Sequence, residues 1–126
     1  MRGTGDIDDI DDLQASLLRT LASANRLRII HLLGTGPREV NELAREVGLS
    51  QAATSQHLGA MRVAGLVSPL RNGRTVHYCL ADPELLAACA LMRGILVRRL
   101  SVLGDLAAAA YEPADPSGVS GQVGRP

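Results

Sequence analysis

Gly48-Leu49-Ser50 joins two short helical patterns, and this joint constrains the fold more than any other stretch of the sequence. Before it, Val40 to Val47 reads as a short helix that stops at Gly48. After it, Ser50 is placed to cap a helix from Gln51 to about Ala64, which Gly65 ends. On that second helix Thr54, Leu58 and Met61 recur at helical spacing and suit a core. Ala52, Ser55, Gln56 and Gly59 fall on the opposite side, with Gln51 in the exposed first turn. Such a pair must bury one side of each helix in a common core and leave the other side in water.

Past Gly65 the apolar period changes from helical to alternating. Leu66-Val67-Ser68 and Thr75-Val76-His77-Tyr78-Cys79-Leu80 flank Arg71-Asn72-Gly73-Arg74. Asn72-Gly73 predicts a type I′ hairpin turn, because both central residues of that turn need positive φ. Pro69 fits an edge strand, where no ladder N–H is required. Alternation directs Val76, Tyr78 and Leu80 inward and leaves His77 and Cys79 outward. Asp82-Pro83 then starts a long helix to about Ala110, striped by Leu85, Cys89, Met92, Leu96, Leu100 and Leu103. Toward the N-terminus, Asp11 or Asp12 can cap a first helix running to about Ala22, with Leu13, Leu17, Leu18 and Leu21 on one face. Asn25 can cap a second, with Leu27, Ile30 and Leu33 as its stripe. The order is helix, helix, short helix, helix, hairpin, long helix: a mainly α protein with a small β-hairpin (α+β). Residues 1–10 read as a mobile acidic arm, residues 11–111 as one domain, and residues 112–126, rich in Pro, Gly and Ser, as a disordered tail.

A chain of 126 residues with 46% hydrophobic content can bury a core, but it has no Phe or Trp and only 2 Tyr. That core must be built from Leu, Val, Ile, Ala and Met. The formal net charge is zero, yet all 13 basic residues are Arg. Eleven of them lie between Arg19 and Arg99 against five carboxylates, whereas five Asp crowd between Asp6 and Asp12. A basic body with an acidic arm suits a nucleic-acid binder. No apolar run reaches bilayer length and the N-terminus is acidic rather than a basic signal segment, so the expected location is cytoplasmic, with no membrane partner. Cys79 and Cys89 are too few for a disulfide scaffold. There is no nucleophile triad, no glycine-rich phosphate loop after a strand and no paired-carboxylate cleft, so an enzyme is not expected.

Two helices joined by a tight turn and followed by a hairpin make a winged helix-turn-helix, whose second helix enters the major groove of double-stranded DNA. Gln51 and Gln56 can pair bidentately with adenine, Ser55 can bond base or phosphate, and Ala52 and Gly59 allow close approach. Ser50 and the amides beside it form an anion site fit for a phosphate. Arg62, on the same helix, and Arg71 and Arg74, at the hairpin, complete the expected DNA-facing set.

LASANRLRIIHLLGTG, VNELAREVGLSQAATSQHLGAMRVAGLV and RNGRTVHYCLAD closely resemble the ArsR/SmtB family of bacterial transcriptional repressors. The resemblance runs from about Leu17 to Leu100, with the three blocks in the family's order. It implies a homodimeric, sequence-specific repressor that holds its operator until an effector releases it. It also implies that the first and last helices pair the subunits, through Leu13, Leu17, Leu21, Leu85, Cys89, Met92, Leu96 and Leu100. One departure lies in the reading helix. Relatives commonly carry two His where this chain has Gln56-His57, which should alter base preference. His57, at the edge of the buried face, is open to a structural or a DNA-contacting role.

The family's known sensing sites are missing. Its Cys-Val-Cys thiolate pair corresponds here to Glu39-Val40-Asn41. Its second metal site, on the last helix, corresponds to Asp82, Glu84, Ile95 and Arg98, of which Ile95 has no donor and Arg98 is a fixed cation. His77 and Cys79 share a strand face and would suit Zn²⁺ or Ni²⁺, but two ligands need others from the arm or elsewhere. Cys89 is either a small core hydrophobe or a thiol switch, which would pair it with Cys79 or with Cys89 of a second subunit. His31 reads as structural. Three release signals therefore stand open: a metal at a non-standard site, a thiol modification, or a partner protein that does the sensing.

Overall fold

The structure, a computed structural model, describes residues 7–110. Residues 1–6 and 111–126, with most of the expected acidic arm and all of the expected tail, lie outside that range. The elements are α1 (Ile7–Leu21), α2 (Ala24–Leu33), β1 (Arg38–Glu39), α3 (Val40–Val47), α4 (Gln51–Val63), β2 (Val67–Asn72), β3 (Thr75–Leu80) and α5 (Glu84–Ala110). They divide into two compact units, residues 7–88 and, on α5 alone, residues 89–110. Among the described residues no helix is long and apolar enough to cross a membrane.

Helix α1 begins at Ile7, so Asp11 and Asp12 lie inside it rather than capping it. Carboxylates in a first turn face the positive end of the helix dipole, which lets an acidic segment be helical. The cap of α2 is Ser23, not Asn25. Ser23 is extended at φ −154°, and its Oγ accepts from the Arg26 amide at 3.3 Å. Asn25 instead accepts from the Arg28 guanidinium at 2.9 Å. The inner face of α2 buries Ile29 along with Ile30 and Leu33, while the expected Leu27 is only half-buried.

Helices α3 and α4 fall where the sequence places them. The Glu42 carboxylate accepts from the Glu39 amide at 2.8 Å and closes the start of α3. Gly48 ends it at φ +74°, a left-handed conformation that a side chain resists. Ser50 caps α4 by accepting from the Ala53 amide at 3.0 Å. At the far end the Leu66 amide donates to the Met61 carbonyl at 2.8 Å across Gly65, closing a Schellman motif.

The hairpin differs from expectation in three ways. Asn72 pairs with Thr75 as the last residue of β2, so the two-residue loop is Gly73-Arg74, with Gly73 at φ +64°, the positive φ that both primed turns need at their first central position. A third strand, β1, joins the sheet in the order β1-β3-β2, with Arg38 opposite Tyr78 and Glu39 opposite His77. Val76 through Leu80 are all half-buried, rather than split into an inner and an outer face. The third strand makes β3 central at His77 and Tyr78, the two residues that β1 reaches. Pro69 lies on the edge strand β2, as its missing N–H requires.

The core of the first unit is Leu21, Ile29, Ile30, Leu33, Leu43, Ala44, Thr54, Leu58, Met61, Leu66 and Val67. Two residues expected at a subunit interface, Leu21 and Cys89, are already buried in the single chain at 5% exposure each. Leu21 sits on the inward side of the last turn of α1 and adds little area to any interface. The other expected interface residues remain accessible, from half-buried Leu17 and Leu85 to Leu13 at 70% and Leu100 at 58% exposure.

The first turn of α5 packs over the end of α2. A Cβ on Gly34 would stand 2.5 Å from Leu86 Cδ2 and 2.9 Å from Cδ1. Gly34→Ala should therefore displace Leu86 and lower stability by about 1–3 kcal/mol, measured as a shift in urea midpoint at unchanged m-value.

Candidate nucleic-acid interface

Helix α4 has two sharply different sides. Thr54, Leu58 and Met61 have no exposed surface. The Thr54 hydroxyl, the one polar side-chain group among them, donates to the Ser50 carbonyl at 2.9 Å, which offsets the cost of burying it. Gln51, Ala52, Ser55, Gln56, Gly59 and Arg62 are all exposed. The sequence placed the same residues on the same sides. The Ser50 hydroxyl oxygen and carbonyl take the amides of Ala53 and Thr54, and those of Gln51 and Ala52 stand at the open, positive end of the helix. Arg71 and Arg74 are exposed at the hairpin tip, one closing β2 and one in the loop.

His57 is placed differently. It is half-buried, and its Nδ1 accepts from Arg26 Nε at 3.0 Å. The same guanidinium donates through Nη1 to the Thr20 carbonyl at 2.9 Å. Sequence reasoning missed Arg26 because its partner is 31 residues away and no local period marks it.

The expected sensing residues come together only in part. Glu39, opposite His77 through β1, brings its Oε2 to 4.0 Å from His77 Nε2. Cys79 points its thiol at the Ser68 carbonyl, 3.7 Å away. Among the described residues no group of three or more His, Cys, Asp or Glu is arranged to hold a metal ion. Cys89 is a free thiol whose pKa is pushed up by burial, with Arg93 pulling weakly the other way. Burial of this kind suppresses the thiolate that a redox sensor needs.

The comparisons with known proteins agree with this geometry. Residues 23–68, from the start of α2 into β2, match the family described as bacterial regulatory protein, arsR family. The chain is 40% identical over 101 residues to the uncharacterized HTH-type transcriptional regulator Rv0081 of Mycobacterium tuberculosis, covering 76% of this chain and 89% of that one. The chain belongs to the arsR family of bacterial regulatory proteins. It is a DNA-binding transcriptional regulator on a winged helix-turn-helix scaffold. The crystal structure of Rv0081 superposes with a TM-score of 0.68, over 73% of this chain and 93% of that one. A homodimeric winged helix-turn-helix DNA-binding domain from Mycobacterium bovis superposes at 0.70 with 30% identity, over 79% and 94% of the two chains. The HTH-type transcriptional repressor SmtB of Mycobacterium tuberculosis is 40% identical over 77 residues, 61% of this chain and 57% of that one.

Two measurements check the assignments. Arg71→Ala and Arg74→Ala should each weaken binding to all duplexes alike and reduce the slope of log affinity against log salt by about 1. A raised thiol pKa stabilises the fold fully below the unfolded value, and that contribution fades as pH rises through the folded value. Near neutral pH Cys89 is therefore held as the thiol, and alkylation followed by mass spectrometry should label it more slowly than Cys79.

Proposed function

We propose that the chain is an operator-binding repressor that works as a homodimer, its α4 lying in the major groove and its hairpin arginines on the phosphate backbone. The observation that carries this reading is the two-sidedness of α4: a dry Thr54-Leu58-Met61 side and, opposite it, an exposed side of Gln, Ser, Ala and Gly. Glutamine amides there match the donor and acceptor pattern of adenine, and the small residues let backbone and base approach. Dimerisation is supported by the exposed apolar stripe of α5, where Met92, Leu96 and Leu100 stand 49%, 57% and 58% exposed. A contiguous exposed apolar stripe of this kind marks a surface that a partner covers. A two-fold pair would set two reading helices about 34 Å apart, on successive turns of one DNA face. Repression follows the name of SmtB, and the cytoplasm is the compartment where such a regulator meets its DNA.

The candidate effectors are Zn²⁺ or Ni²⁺ at His77 and Cys79, and an oxidant at Cys89. Two facing donors fall short of a closed coordination shell, so a metal should have little effect.

The test is anisotropy of a labelled duplex from the gene's upstream region, read against a scrambled duplex. Tight, salt-steep binding with strong preference for the native duplex is expected, as is transcription that falls in a reporter assay. Leu100→Glu should yield monomers by sedimentation and lose most of the affinity. Equal binding to both duplexes would remove the base-reading role, and activation in the reporter would remove repression. Stoichiometric Zn²⁺ or Ni²⁺ should leave the affinity unchanged. A shift would make His77→Ala and Cys79→Ser the next variants.

A further inference from the structure

We propose that Arg26 is a positioning residue for base reading: through His57 it holds α4 at one rotation about its own axis and ties that helix to the end of α1. The inference rests on the reading of α4 as the base-reading helix. Arginine can only donate, so the ring nitrogen it faces, Nδ1, must carry a lone pair. The imidazole is therefore neutral, with its proton on Nε2. The second arm of the guanidinium ends on the carbonyl of Thr20, in the last turn of α1, where carbonyls have no partner within the helix and the dipole is negative. One planar cation thus bonds two helices from a third. Both bonds are part-buried, where a charge-assisted hydrogen bond is stronger than in water.

The geometry gives this fork a consequence for DNA. His57 follows Gln56 directly, about 100° further round α4, and is half-buried where Gln56 is exposed. Leu58 and Met61 fix the depth of the helix in the core and which of its sides is buried, so what is left to set is a small axial rotation. A directional bond at His57 resists it well. Rotation would swing Gln56 and Ser55 away from the base edges, whereas backbone contacts from the hairpin arginines would persist. Loss of the fork should therefore reduce discrimination between sequences more than it reduces affinity for DNA in general.

The full-length wild-type chain would first select its preferred duplex from a random pool. Affinities for that duplex and a scrambled one would then be measured over a range of salt for Arg26→Met, His57→Leu, the double variant and His57→Gln, each with a thermal melt. Arg26→Met and His57→Leu should each lower the preference ratio about tenfold. The double variant should lose no more than Arg26→Met alone, because that variant has already removed the bond to His57. His57→Gln keeps an acceptor and should restore most of the ratio. If Arg26→Met does not fold, Arg26→Lys carries the test, since it keeps the charge but lacks the two-armed fork. Additive losses, equal losses on both duplexes, or a salt slope that falls by about 1 in the Arg26 variants would overturn the proposal, the last by making Arg26 a phosphate contact. A wild-type chain that enriches no sequence overturns the reading of α4 itself, and the proposal with it.

Discussion

Complete burial of Thr54, Leu58 and Met61 is the constraint from which the functional surface follows. These three side chains occupy one flank of α4, so excluding them from water leaves the opposite flank no choice but solvent. The small polar residues on that flank are exposed because apolar residues elsewhere on the same helix are not. The left-handed turn at Gly48 then sets α3 against α4, and the Ser50 cap fixes where α4 begins. A shift of one residue in that start would rotate the whole face by about 100°, the angle per residue of a helix with 3.6 residues per turn. The cap and the core thus specify the same register from two directions.

Charge is arranged in keeping with this. Arg62, Arg71 and Arg74 are exposed, with Arg62 on α4 and the other two at the hairpin tip. Arg26 is spent inside, on two acceptors. Arg93 lies close enough to Cys89 to oppose its desolvation. An identical residue type therefore does three jobs, and only its surroundings tell them apart. A net charge of zero across the chain conceals this, because most of the compensating carboxylates are near the N-terminus rather than among the arginines.

The elements most legible in the sequence were those specified by local chemistry. Gly48, Ser50 and Gly65 mark turns and caps through their own conformational preferences, and the helical period of α4 identified its buried side residue by residue. What was not legible depended on distant partners. Strand β1 is two residues long, too short to show alternation, and exists only because Tyr78 and His77 lie opposite it. The loop moved from Asn72-Gly73 to Gly73-Arg74 because the strand register runs through Asn72, and pairing along a strand outweighs the preference of one dipeptide. Leu21 carried the same helical stripe as Leu13, but a stripe does not say whether it is the protomer's own core or a partner that covers it. The link from Arg26 to His57 had no sequence signature at all.

That link bears on how a regulator of this kind can let go. Coupling between an effector and DNA is typically worth about 1–3 kcal/mol, far less than the burial that holds α4 in place. A core of interdigitated aliphatic side chains is a poor place to store so small a difference, since it packs one way or not at all. A fork of two hydrogen bonds is a better one. Each contributes about 1 kcal/mol net and can lengthen without opening a cavity. Its two ends are on α4, the proposed reading helix, and on α1, whose outer side bears the exposed Leu13. On the proposed reading of α4, a shift of α1 against its neighbours would be passed to α4 through this one guanidinium.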